Sequence, residues 1–317
     1  MITLRRMCNG GLLNNTITRL GVDVSLARFL ARSVQNASQE DVSLSDILGY
    51  LGKTVVITGA ASGMGQAAAQ LLVDLGAKVI ALDIAPVTVS VANAIAVDMK
   101  DPASIDAAVQ SVPPEIYALF NCAGVPCPPF SNTDTLLINF VGLRYLTESL
   151  LPRITEGGAI ASIASTAGMA WKGNLENVKT FLQLDNSFES AKAWFEKYPE
   201  ACADAYGFSK QSIIVYTMMQ AKALAQKGIR INCIAPSPTA SGFMDKLKGE
   251  GKMPDELVDL FLPSNGRYAT GAEMGEPLVL LNSKLASFVS GNNIPVDFGF
   301  CAEVYMGQRD DLLNISQ

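Results

Sequence analysis

The chain has 317 residues, 49% of them hydrophobic and 17% charged, with a net charge of −6 and no histidine. That length allows one large domain or two small ones, and the net negative charge argues against a nucleic-acid partner, which needs a basic face. The missing imidazole excludes Ser-His-Asp hydrolases, Cys-His proteases, His-ligated zinc and dehydrogenases with a histidine base. Proton chemistry near neutral pH then falls to Tyr, Lys, Asp, Glu or Cys.

Residues 1–49 read as an N-terminal extension. Over 1–38 there are five arginines (Arg5, Arg6, Arg19, Arg28, Arg32) and one acid, Asp23, among many Ser, Thr and Asn. Two readings stand: an organellar transit segment, or an amphipathic arm packed on the body or on another subunit, for which Leu26, Phe29, Leu30 and Val34 have near-helical spacing. No uncharged apolar run reaches ~18 residues, so no membrane span is expected. The cysteines, Cys8, Cys122, Cys127, Cys202, Cys233 and Cys301, form no C-x-x-C pair. Scattered thiols point to a reducing, cytoplasmic setting and give no metal site.

From Leu51 onward short β-branched runs alternate with helical stretches. The strands are predicted at 54–59, 78–83, 94–98, 118–124, 159–165, 230–236 and 293–299, and the main helices at 66–75, 104–110, 136–151 and 209–226. Near-continuous apolar strands separated by amphipathic helices imply one α/β domain, residues 50–317, with a parallel seven-stranded sheet covered on both faces.

Between the first strand and the first helix lies Thr58-Gly59-Ala60-Ala61-Ser62-Gly63-Met64-Gly65. Glycine at 59, 63 and 65 lets backbone approach a pyrophosphate, and the helix N-terminus supplies free N–H donors and a positive dipole end. The second strand ends at Asp83, 18 residues after Gly65. A carboxylate there accepts hydrogen bonds from an adenosine ribose and repels a 2′-phosphate. Ile84, Ala85 and Pro86 follow, with no cation, so the expected cofactor is NAD(H) rather than NADP(H). The alternative reading of Asp83 is a cap.

At this point the chain resembles the short-chain dehydrogenase/reductases. The resemblance runs from the glycine turn through Asp83, Asp98, Asn121-Cys122-Ala123-Gly124, Asn139, Ser165 and Tyr206-Gly207-Phe208-Ser209-Lys210. It implies a doubly wound Rossmann-type fold and a catalytic tetrad of Asn139, Ser165, Tyr206 and Lys210. It further implies dinucleotide contacts from Gly59, Ser62, Gly63, Met64, Gly65, Asp83, Asp98, Asn121, Ala123, Gly124, Tyr206, Lys210, Pro236, Thr239 and Ser241. In that scheme Tyr206, its phenol made more acidic by Lys210 and the nicotinamide charge, exchanges a proton with the substrate oxygen. Ser165 holds that oxygen, Lys210 also binds the nicotinamide ribose, and Asn139 positions a water. The branch resembled most includes 3α-hydroxysteroid dehydrogenase/carbonyl reductases and coniferyl-alcohol-dehydrogenase-like enzymes. It implies a small hydrophobic alcohol or ketone, a cyclic one such as a 3α-hydroxysteroid first, an aryl alcohol second, and a homodimer or homotetramer. A dehydratase or epimerase, and a relative that binds NAD without turnover, are the competing readings.

Three departures from the family pattern bear on the substrate. Ser165 and Tyr206 are unusually far apart, and the insertion, about 170–203, holds both tryptophans, Trp171 and Trp194. Phe188, Ala191, Phe195 and Tyr198 within it fit a helical stripe, which suits a substrate lid as well as a small core or a subunit contact. Pro236-Ser237 stands where Pro-Gly is usual, and the following stretch, 242–262, brings Phe243, Met244, Leu247, Met253 and Phe261, read either as a mobile apolar cover for a hydrophobic ligand or as a surface helix pair. Phe298 stands where glycine is common.

Overall fold

In the computed structural model, residues 46–248 and 254–309 are described. The extension 1–45, with both readings of it, and Met253 lie outside them. Seven parallel strands form one sheet in the order β3-β2-β1-β4-β5-β6-β7. They are β1 (Thr54–Thr58), β2 (Lys78–Asp83), β3 (Asn93–Ala96), β4 (Ile116–Asn121), β5 (Ile154–Ile163), β6 (Arg230–Pro236) and β7 (Asn292–Val296). The chain reverses direction across the sheet between β1 and β4, which opens a crevice at the carboxyl ends of those strands.

The alternation of side chains along each strand feeds two cores. On one face Val56, Ile80, Leu82, Leu119, Ile160 and Ile231 pack with α2 (Pro102–Ser111), α4 (Gly142–Leu150) and α7 (Ala205–Ala225). On the other, Val55, Ile57, Val79, Phe120, Ala161 and Ile234 pack with α1 (Gly63–Asp74) and α10 (Gly271–Asn282). The central strands are buried on both sides, which is why they carry no polar alternation.

Helix ends differ from the sequence expectation for identifiable reasons. The helix expected at 136–151 starts earlier, as α3 (Asn132–Leu136), because the Ser131 hydroxyl accepts from Asp134 N at 3.1 Å. It then runs through a π-helical turn, Leu137–Val141, into α4. The helix expected at 209–226 likewise starts at Ala205, where the Asp204 carboxylate caps it. The fifth strand ends at Ile163, and Ser165 caps a 3-10 turn, Thr166–Lys172, accepting from Ala167 N at 3.2 Å.

The insertion folds as α5 (Leu175–Leu182) and α6 (Phe188–Lys197). Val178, Phe181, Phe188, Ala191, Trp194 and Phe195 face inward and join the first core. The stripe is helical as expected up to Lys197, and Tyr198 lies just past the helix end. Further on come α8 (Gly242–Leu247), α9 (Asp255–Asp259) and, after β7, α11 (Phe300–Tyr305). Among the described residues no helix is long and apolar enough to cross a membrane.

Candidate active site

The carboxyl ends of the strands open into a cavity of about 750 Å³. At its floor the glycine turn is forced by close approach. Gly59 has φ +69°, and a Cβ there would sit 2.7 Å from Ala123 N. A Cβ on Gly65 would sit 2.1 Å from Gly59 O. Thr58 Oγ1 holds the facing turn by accepting from Cys122 N and Ala123 N at 3.0 and 3.1 Å. The N-cap of α1, Ser62, is extended and its side chain makes no capping bond. The helix therefore presents unused N–H donors and a hydroxyl to the cavity.

Asp83 lines the same end. Its Oδ2 accepts from Ala61 N and its Oδ1 from Ala85 N, both at 2.9 Å. It is thus a cap of the glycine turn and a cavity residue at once, with lone pairs left over for a ligand hydroxyl. Gly63, Met64, Asp98, Ala123, Gly124, Pro236, Thr239 and Ser241 also line the cavity. Asp98 Oδ1 accepts from Lys100 N at 3.0 Å. Ser241 abuts the glycine turn, 3.3 Å from where a Gly63 Cβ would be.

Two expected residues are not on the cavity wall. Asn121 is buried in the sheet, donating from Nδ2 to Thr147 Oγ1 at 3.0 Å and to Ser162 Oγ at 3.2 Å. It ties β4 to β5 and α4 and does not line the cavity. Asn139, on the π-helical turn, is fully buried. Its Oδ1 accepts from Val125 N at 2.7 Å and its Nδ2 donates to Val125 O at 2.9 Å. Those bonds hold the side-chain amide on Val125. Asn139 fixes Val125, which lines the cavity, and lies under Gly124, whose Cβ would come within 3.3 Å of its Oδ1 and 3.7 Å of Lys210 Nζ.

Ser165, Tyr206 and Lys210 do converge in the cavity. The Ser165 hydroxyl lies beside the Tyr206 phenol on the cavity wall and favours its ionised form. Lys210, one helical turn beyond Tyr206, is buried and donates from Nζ to Ile163 O at 3.0 Å, with Nζ 5.5 Å from the Tyr206 ring centroid. Burial lowers Lys210 to about 8. The protein's own groups do not make Tyr206 more acidic. Burial pushes the phenol up to about 12, opposed by the neighbouring Ser165 hydroxyl and reinforced by the charge of Asp204. The expected downward pull of Lys210 does not enter this balance, in which desolvation disfavours the phenolate most strongly.

Above these residues the wall is apolar. Phe130, Phe243, Met244, Leu247, Val258 and Phe261 line it, and the Phe243 ring lies 5.7 Å from that of Tyr206. Of the stretch expected to cover a ligand, α8, α9 and Phe261 supply most of this wall. None of residues 168–203 lines the cavity, and the apolar residues of the insertion pack into the first core. Asp204 lines it too, and sequence reasoning passed it over by starting the helix at 209. An acid three residues before a glycine, just ahead of the helix, was the available signal.

Residues 53–175 match the short chain dehydrogenase family, and residues 190–301 match the Enoyl-(Acyl carrier protein) reductase family. The coniferyl-alcohol dehydrogenase of Pseudomonas sp. (strain HR199 / DSM 7063) is 30% identical over 254 residues, covering 79% of this chain and 97% of that protein. The chain is a short-chain dehydrogenase/reductase. As such it is an oxidoreductase with a Rossmann-type fold. A second relative, the 3-alpha-hydroxysteroid dehydrogenase/carbonyl reductase of Comamonas testosteroni, is 27% identical over 259 residues, 78% of this short-chain dehydrogenase/reductase and 96% of that protein. The 3-alpha-hydroxysteroid dehydrogenase of Pseudomonas sp. B-0831, solved with NADH, superposes with a TM-score of 0.68 at 24% identity, covering 81% of this chain and 99% of that one.

Proposed function

We propose that this short-chain dehydrogenase/reductase interconverts a hydrophobic secondary or aromatic alcohol and its carbonyl compound with NAD(H). The observation that carries this reading is the juxtaposition of Ser165, Tyr206 and Lys210 with the apolar wall of Phe130, Phe243, Met244, Leu247 and Phe261. A cyclic substrate such as a 3α-hydroxysteroid suits a wall of that size and chemistry. The runner-up, a coniferyl- or aryl-alcohol, is supported by the relative at 30% identity.

A nicotinamide dinucleotide fits the opposite end. The close approach of backbone to backbone at Gly59 and Gly65 keeps the turn tight at the cavity floor, and the start of α1 has free N–H groups. Gly59, Ser62, Gly63, Met64 and Gly65 would face the pyrophosphate, Asp83 the adenosine ribose, and Thr239 and Ser241 the nicotinamide end. Lys100 is the cation nearest to Asp83 in sequence on that wall, and Asp134 takes it at 3.4 Å, which favours NAD(H) over the 2′-phosphorylated form.

Bound there, the dinucleotide supplies or accepts the hydride. Tyr206 gives its proton to the carbonyl oxygen in reduction and takes the alcohol proton in oxidation, a contribution of about 10² to 10⁴ in rate. Ser165 and the phenol hold the substrate oxygen between them. Lys210, anchored on Ile163 O, keeps a positive charge beneath the ring. Exposed Leu280, Leu285, Phe288 and Phe298 suit a homodimer or homotetramer, working in the cytoplasm.

The test is a coupled assay of steroids, monoterpenols and cinnamyl alcohols with NAD⁺ and NADP⁺. Turnover with NAD⁺, at least tenfold above that with NADP⁺, is expected, and Tyr206→Phe should keep dinucleotide binding while losing turnover by about 10² or more. Tight NADH binding with no turnover on any alcohol or ketone would instead identify a non-catalytic NAD-binding protein.

A further inference from the structure

The helix that carries Tyr206 and Lys210 begins at a carboxylate on the cavity wall. Asp204 is the N-cap of α7, its Oδ1 accepting from Gly207 N at 2.8 Å. The carboxylate is exposed and lines the cavity with Tyr206. Position 207 accommodates it: a Cβ there would lie 2.0 Å from Asp204 Oδ2. Capping alone does not need this charge, since Asn or Ser would cap as well. The charge has a second consequence. A helix N-terminus favours anions within its first turn, and Tyr206 is the second residue of α7. A neutral cap would leave that field to favour a phenolate, whereas a carboxylate offsets it.

The other groups around the phenol are few. Lys210 lies below the ring on the same helix. Ser165 reaches it from the end of β5, and Phe243 meets it from α8 without charge. Lys246 of α8 lines the cavity but is exposed. Cys122, beside Lys210, is held well above the usual thiol range by burial and stays neutral. Asp204 is the near carboxylate, and its charge acts to raise the phenol.

We propose that Asp204 is a positioning residue for proton transfer: one oxygen sets the start of the catalytic helix, and its negative charge keeps the proton on Tyr206, biasing the resting site toward donation to a carbonyl. This rests on Tyr206 as the acid–base group. The test compares Asp204→Asn, which keeps the cap, with Asp204→Ala, which loses it. The readouts are kcat/KM for alcohol oxidation against pH at about 0.02 M and about 1 M salt, and Tm. Oxidation needs the phenolate, so removing the charge should move the rising limb to lower pH. In Asp204→Asn the expected move is about half a pH unit, roughly threefold on the limb, with Tm and dinucleotide KM unchanged and a smaller move at high salt. Asp204→Ala should show the same move with a lowered Tm. A profile for Asp204→Asn that superimposes on the wild type, with only Asp204→Ala destabilised, reduces Asp204 to a cap and overturns the proposal. If the wild type oxidises no alcohol, the functional reading fails separately. The charge coupling is then read from the ¹³Cζ resonance of Tyr206, assigned with Tyr206→Phe. A lower titration onset in Asp204→Asn sustains it, and coincident curves overturn it.

Discussion

Trp194 of the insertion stacks on Phe208, two residues past Tyr206, with ring centroids 5.5 Å apart and planes 18° from parallel. Phe181 completes the contact. It lies 5.6 Å from Phe208, 5.0 Å from Trp194 and 5.7 Å from Phe140, the neighbour of Asn139. One aromatic cluster therefore supports both the helix and the π-helical turn that carry site residues. Trp194→Ala should cost about 3–5 kcal/mol of stability, read from urea unfolding. Trp194→Phe should recover most of it. A loss below about 1 kcal/mol for the alanine variant would mean that the insertion contributes little to the core.

The glycine turn tolerates no side chain at its tightest point. Gly65→Ala forces a Cβ into the Gly59 carbonyl at 2.1 Å, so the turn must open. Dinucleotide affinity should fall by about tenfold or more, with Tm lowered, as measured by NADH fluorescence titration and thermal melting. Unchanged affinity would show that the dinucleotide does not sit on this turn.

Asp83 combines two jobs that a pair of substitutions separates. Asp83→Asn keeps a carbonyl acceptor and loses the charge, so NADP(H) should be accepted better relative to NAD(H), by roughly tenfold. Asp83→Ala also frees Ala61 N and Ala85 N, and should additionally lower stability by about 1–3 kcal/mol. A cofactor ratio that does not move in either variant would leave Asp83 as a cap alone.

Buried Lys210 gives stability a distinct pH signature. Its folded value is lowered to about 8 from an ordinary 10.5, so between those values the unfolded chain binds more protons and stability rises with pH. From about 9 upward buried thiols oppose this contribution. Burial raises Cys122, Cys202, Cys233 and Cys301 from an ordinary 9, and higher still the phenols of Tyr50, Tyr206 and Tyr216, so the unfolded chain loses those protons first and the net slope turns downward. Lys210→Met should remove the opposing contribution and make stability fall more steeply from pH 8 to 10, a change of a few kcal/mol at most, seen in denaturation midpoints across pH 7–10. Coincident profiles for the variant and the wild type would show that Lys210 carries no such linkage.

Much of the fold was legible because β-branched runs bounded by turns leave few alternatives. The strands at 78–83 and 230–236 match residue for residue. Helix starts were less legible, because Ser131 and Asp204 act through side-chain caps that periodicity does not register. In the site, Ser165, Tyr206 and Lys210 were found through the family resemblance, by their order along the chain. Asn121 shows the limit: a motif gives a position on β4 but not the side of the strand its side chain takes, and here that side is the core. The insertion shows another. A helical apolar stripe says that a face is covered, and only the folded chain tells whether protein or ligand covers it.

The placement of the insertion has a practical consequence for altering this enzyme. Its conspicuous aromatic residues invite mutation in a search for new substrates, yet such changes would erode the scaffold and leave the ligand wall intact. Selectivity libraries belong instead at Phe243, Met244, Leu247 and Phe261, on the short helix α8 and the turn after α9, away from the folding core. Scaffold and recognition surface can thus be varied separately in this chain.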